Sequence, residues 1–292
     1  MQDENAIPHD GEEAELKVPD ADVRVRFDEG EFKLPRSAYL SWLQTAADAI
    51  RAYYRRFPVQ HVLVKLKGEP GDDIGFATTG FEDGAGQIEI PIGEDISATR
   101  LKESWVAAHE MTHLAFPMVG HRRRWVAEGQ ATYIEPLARL QVGDRTSKQV
   151  WRDLVEHLPS GLPESGAGGL DGFHSIGRTY WGGALFFLLA DIEIRKQTHN
   201  KQGLEDAEIA IVKSGGNAGS DWSIGQAFQT GDQAVHGNVL EDLDSKMATK
   251  EYRVDLDELW KQLGVLKESD QIVFDDKAPL AYIRLSIEKG KD

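Results

Sequence analysis

The chain contains no cysteine. Disulfides, thiolate metal sites and cysteine nucleophiles are excluded, so any metal must rest on His, Asp or Glu. Long apolar runs are also missing. The longest, "GGALFFLLADIEI" at 182–194, falls short of the roughly 18–20 residues of a membrane span and ends in charges. Basic residues are scarce, 33 against 49 acidic ones, for a formal net charge of −16. Nucleic-acid binding needs a basic footprint and none is visible, so no nucleic-acid partner is expected. The opening "MQDENAIPHDGEE" has neither the basic region nor the apolar core of a signal peptide. Two compartments stay open: periplasmic or secreted if a signal peptide has been removed, cytoplasmic otherwise. Nothing in the sequence speaks to oligomeric state.

What is present suits an ordinary folded chain. The 292 residues are 40% apolar and 28% charged, ordinary values for a chain able to bury a sizeable core. Residues 1–31 carry eleven Asp and Glu against three Lys and Arg, half of the net charge. The first of these lack periodicity, and 1–21 reads as an acidic disordered leader. Residues 22–292 then read as one domain, with a sheet-rich lobe to about 118 and a helical lobe beyond.

Strands are expected at "VRVRF", "HVLVKLKG", "IGFATTGF" and "GQIEIPIG", the last two joined by the turn pair Asp83–Gly84. A helix over 37–57 separates the first two, with Ser37 as its cap. From residue 99 the chain turns helical. Helices are expected at 99–116, 123–141, 147–158, about 178–198, 203–214, 222–229, 235–249 and 255–263, with a strand-like "QIVF" and a short helix at the end. The stretch 159–177 is a long Gly, Ser and Pro-rich loop, long enough to suggest a cover over a cleft. Strands first and helices after describe an α+β fold.

Within the helix at 99–116 stands "HEMTH". Positions i and i+4 of a helix lie about 40° apart on one face, so His109 and His113 can address one ion. Glu110 lies about 100° round, beside the ion, where a base for metal-activated water belongs. Two polar positions on a helix flank are the plain alternative. A catalytic zinc takes a third protein ligand and keeps one open position. His121 is one candidate, but Gly120 and three arginines frame it as a basic loop histidine. Glu128 is the other, in the apolar segment "WVAEGQATY", where an unpaired carboxylate would be costly to bury.

"HEMTH" followed by "WVAEGQATYIE" resembles the gluzincin metallopeptidases, whose catalytic domain is thermolysin-like, and most nearly the aminopeptidase N and glycyl aminopeptidase group. Trp125, Glu128, Gly129 and Tyr133 match that group's W-x-x-E-G-x-x-x-Y pattern. The resemblance implies a thermolysin-like zincin domain, with a mostly antiparallel N-terminal sheet and a helical lobe. It implies one Zn2+ per chain on His109, His113 and Glu128, a peptide or protein substrate, and Glu110 as base. Glu135, seven residues after Glu128, stands where the group often has an acid. It reads either as a carboxylate orienting a histidine or as a solvated charge. The group's Y-x-K-G motif resembles "TYWGG", which implies Tyr180 as donor to the oxyanion. Gly182 stands where the group has lysine. His174 is the rival donor.

Other departures are visible. Fourteen residues separate His113 from Glu128, where the group usually has eighteen. The G-x-M-E-N strand that anchors a substrate amine is not evident; Glu89 in "GQIEI" holds roughly its place and is a candidate anchor. Exopeptidase and endopeptidase activity both stay open. So do a zinc hydrolase of non-peptide substrates and a zinc-bearing protein without turnover.

Overall fold

The structure, a computed structural model, describes residues 5–172 and 175–290. Five strands form one sheet: β1 (Glu12–Glu15), β2 (Asp22–Asp28), β3 (His61–Glu69), β4 (Thr78–Glu82) and β5 (Ala85–Gly93), in the order β1-β2-β3-β5-β4. The helix α1 (Arg36–Tyr54) connects β2 to β3 and gives the crossover that parallel neighbours require. The pairs β2–β3 and β3–β5 are parallel, while β1–β2 and β4–β5 are antiparallel. The sheet is therefore mixed rather than mostly antiparallel. The alternation in each strand is satisfied by either direction, so it could not reveal which one the connection imposes.

Register puts the apolar residues in rows. Val23 pairs with Val62, Val25 with Val64 and Phe27 with Leu66; Val64 pairs with Ile88 and Leu66 with Ile90. All are buried, as are Tyr39, Leu43, Ala47, Ile50 and Tyr54 of α1, and Tyr39 packs edge-on against Phe27 with ring centroids 5.8 Å apart. The period of two in the strands and the three-four spacing of α1 meet in one core. Helix α1 starts at Arg36 behind Pro35, one residue before the expected Ser37 cap, and stops at Arg55 in the left-handed conformation.

The leader is ordered where it meets this core. Strand β1 lies inside the expected disordered segment, Leu16 and Val18 are buried, and buried Glu12 pairs with buried Arg36. Strand β1 holds its place by pairing antiparallel with the neighbouring β2, a tertiary contact that the acid-rich composition of the leader does not announce.

The expected helix at 99–116 is two helices, α2 (Ala98–Glu103) and α3 (Val106–His113). Ser104 between them is extended, and its hydroxyl accepts from the Val106 amide. Its carbonyl, freed from helical bonding, accepts from the Trp42 indole. Then come α4 (Arg124–Gln141), α5 (Ser147–His157), α6 (Ile176–Gln197), α7 (Leu204–Lys213), α8 (Ile224–Ala234), α9 (Val239–Met247) and α10 (Leu256–Leu263). A hairpin of β6 (Val265–Glu268) and β7 (Gln271–Phe274) and the helix α11 (Ala281–Lys289) complete the chain. Among the described residues no helix is long and apolar enough to cross a membrane.

Helices α4 and α6 make the contact on which the site depends. A Cβ on Gly129 would stand 2.3 Å from the Gly183 backbone, and one on Gly183 would stand 2.1 Å from the Trp125 carbonyl oxygen. Two glycines let the backbones touch. Gly182 sits against Gly161 of a single 3-10 turn (Leu158–Gly161), and a Cβ there would meet Leu170 at 2.8 Å. A side chain here, such as the lysine the group carries, would have to displace the end of Leu170 beside the Gly161 carbonyl. The described part of the loop 159–172 is tied down. Leu170 and Asp171 donate to Met247 and Ala248, and Arg178 donates to the carbonyls of Gly161 and Gly168. It braces α6 and α9 and is not part of the cleft lining.

Candidate metal centre

A cleft of about 850 Å³ opens between the sheet edge at β4 and the helices α4 and α6. Residues 73–79 line one side, α3 runs along it, and Arg124, Glu128 and Tyr180 close the other. His109 and His113 project from successive turns of α3, and Glu128 from the second turn of α4. Glu128 Oε2 lies 3.2 Å from His109 Nε2 and 3.6 Å from His113 Nε2. One ligand atom from each residue falls within 4.8 Å of the others, the grouping a metal ion needs. Tetrahedral ligands on bonds of about 2.0–2.1 Å stand roughly 3.3 Å apart, close to the two separations from Glu128 Oε2. His121 lines the cleft without joining the group.

Burial and charge shape these groups. Burial pushes the His109 pKa down against its hydrogen bond to Glu128, which favours the neutral imidazole that a metal binds. For His113 burial also lowers the pKa, but the interactions with Glu128 and the charge of Glu110 outweigh it and the net shift is upward. Burial would raise the Glu128 carboxyl; hydrogen bonds from both histidines overcome it and hold the group far below the usual range.

Glu110 is buried beside the cluster, and the Thr79 hydroxyl lies 2.7 Å from its Oε2 and 3.0 Å from its carbonyl oxygen. The bond ties the α3 carboxylate to the edge strand β4. Tyr180 stacks nearly parallel to the His109 ring, with centroids 5.9 Å apart. Burial and the charge of Glu128 push its phenol above the ordinary value, so the hydroxyl keeps its proton and remains a donor. Arg124 binds both partners: its Nε donates to Glu128 Oε1 at 2.9 Å and its Nη2 lies 3.4 Å from the Tyr180 oxygen.

The remaining residues singled out in the sequence lie elsewhere. Glu135 is buried and pairs with Arg139 at 2.8 Å, and it makes no hydrogen bond to His109 or His113. Glu89 lies on the outer face of the sheet, paired with Lys67 at 2.7 Å and outside the cleft lining. Strand β5 is not an edge, because β3 and β4 flank it; the free edge at the cleft belongs to β4. His174 lies outside the described residues. Trp125 and Tyr133 of the glutamate motif serve packing: the indole donates to Asp171 and the phenol to Asp191. Arg124 and Thr79 were not anticipated. The four-residue step from Arg124 to Glu128 was a readable signal. Thr79 gave none, since its meeting with Glu110 depends on how β4 lies against α3.

No protein-family model matches the sequence, and neither does any curated protein. Solved structures do. An aminopeptidase N family protein from Idiomarina loihiensis superposes with a TM-score of 0.63 at 16% identity, over 87% of this chain and 49% of that one. An M1 zinc metallopeptidase from Deinococcus radiodurans gives 0.52 at 14% identity, over 83% and 52%. A variant of the same enzyme, bound to a Tyr-Ser-Ala substrate, gives 0.51 at 14% identity, over 83% and 52%.

This chain has the fold of the M1 zinc metallopeptidases.

It spans about half the length of the structures it matches. The α+β architecture, sheet first and helices after, is the shared part. The His109, His113 and Glu128 cluster lies in a cleft lined from both halves of the fold.

Proposed function

We propose that the chain is a zinc-dependent peptide hydrolase with one ion per chain on His109, His113 and Glu128. The observation that carries this reading is the convergence of His109 Nε2, His113 Nε2 and Glu128 Oε2. Two nitrogens and one carboxylate oxygen make the donor set of a catalytic zinc that keeps an open position. A bound zinc ion would polarise the scissile carbonyl and acidify a water.

This chain's residues supply the rest. Glu110, held by Thr79, takes the proton of the attacking water and passes it to the leaving amine. The Tyr180 hydroxyl donates to the carbonyl oxygen as negative charge builds there. A peptide backbone lies along the free edge of β4 and gains main-chain hydrogen bonds. Phe76, Trp105 and Met118, three exposed apolar side chains, line the cleft and suit apolar side chains beside the scissile bond. Glu89, the candidate amine anchor, pairs with Lys67 outside the cleft lining, and Asp73 in the cleft wall pairs with Arg100.

Metal content tests the reading. The purified protein is expected to carry zinc at one equivalent, and His109→Ala and Glu128→Ala to lose it while remaining folded. Full zinc in both variants would place the ion elsewhere and refute the assignment.

A further inference from the structure

Arg124 opens α4, and its neighbour Arg123 turns away from the cleft to Asp171 and Asp244. Arg124 turns into the cleft instead. The two oxygens of Glu128 are thereby divided. Oε2 faces the two histidines, while Oε1 accepts from the Arg124 guanidinium at 2.9 Å. The same guanidinium reaches the Tyr180 hydroxyl at 3.4 Å.

The division has a chemical consequence. A carboxylate free on both sides can chelate an ion with both oxygens, which fills a position that water needs. An oxygen already accepting from a charged guanidinium is a poor second ligand, because the charge-assisted hydrogen bond occupies one of its lone pairs and lowers its basicity. An exposed ion pair four residues apart on a helix ordinarily does little. This one ends on a buried carboxylate in a cleft.

We propose that Arg124 is a positioning residue that confines Glu128 to one coordinating oxygen and keeps a place open for water. The proposal rests on the zinc reading above. Cobalt(II) is the probe, since its visible bands are intense in four-coordinate sites and weaken as coordination rises. The full chain, Arg124→Met and Arg124→Lys are loaded with cobalt, and metal-free melting temperatures are measured beside the spectra. The unaltered chain should give the intense bands, and Arg124→Met should lose intensity severalfold with its metal-free melting unchanged. Arg124→Lys should keep much of it, because an ammonium still donates to Oε1. Identical spectra for the unaltered chain and Arg124→Met would overturn the proposal and leave the zinc reading standing. A folded Arg124→Met that takes up no cobalt would overturn it too, since a freed carboxylate should bind through both oxygens. Failure of the unaltered chain to take up cobalt would remove both. Should Arg124→Met not fold, Arg124→Leu takes its place in the same comparison.

Discussion

Tyr180 stands over the His109 ring, its hydroxyl 3.4 Å from the Arg124 guanidinium and its pKa pushed up by burial and the charge of Glu128. Its removal as Tyr180→Phe is expected to lower kcat by about 100- to 1,000-fold, with metal content unchanged. An unchanged kcat would take it out of the oxyanion role. On the proposed reading, Thr79 acts one step back, through its hydrogen bond to Glu110. Thr79→Val is expected to reduce kcat about 10- to 100-fold while zinc stays bound, and Thr79→Ser to restore most of it; steady-state kinetics beside metal analysis check both. At this scale the sequence was most informative where helix geometry relates the residues. His109, Glu110 and His113 share one helix, and the apolar frame of Glu128 marked it as needing a partner. Arg124, four residues before Glu128 on the same helix, follows the same geometric logic. Thr79 does not, because its bond joins a strand edge to a helix 31 positions away.

The elements carry the site through one close contact. Gly129 and Gly183 let α4 and α6 approach until backbone meets backbone, which is how Glu128 and Tyr180 come to share a cleft wall. Gly183→Ala would force a Cβ into the Trp125 carbonyl oxygen. Overpacking of this kind costs about 1–3 kcal/mol. Thermal melting should fall accordingly, and kcat should fall with it, because α6 cannot move off α4 without carrying Tyr180 away. Normal melting and activity would show that the helices separate freely. Element types were largely legible, since periods of two and of three to four residues distinguish strands from helices. The break at Ser104 was not legible: it is stabilised by the Trp42 indole from α1, a tertiary bond that no local pattern announces. Parallel pairing of β2, β3 and β5 was hidden for the same reason.

Across the whole molecule, buried acids tie the helical half to α4. Glu208 is fully buried, accepts from Gln130 at 2.6 Å, and has its carboxyl pushed up to about 8 by burial. A group raised in the folded state contributes most below its unfolded value, near 4.5, and that contribution is lost as pH rises toward about 8. The slope is about 1.4 kcal/mol per pH unit within that window. Glu208→Gln cannot ionise, so its melting temperature relative to the unaltered chain should rise from pH 5 to pH 8, and a constant difference would show that Glu208 does not titrate there. The fold as a whole was readable from strands preceding helices, and the ordered leader was not, because β1 needs β2 and Arg36 to hold it. The central claim is metal-assisted peptide cleavage at His109, Glu110, His113 and Glu128. Its most direct test is digestion of a mixed peptide pool, read by mass spectrometry, for the unaltered chain with and without a zinc chelator and for zinc-loaded Glu110→Gln. The account predicts cleavage in the first sample and loss of at least about 100-fold in the other two; cleavage that survives the chelator or the glutamine would contradict it.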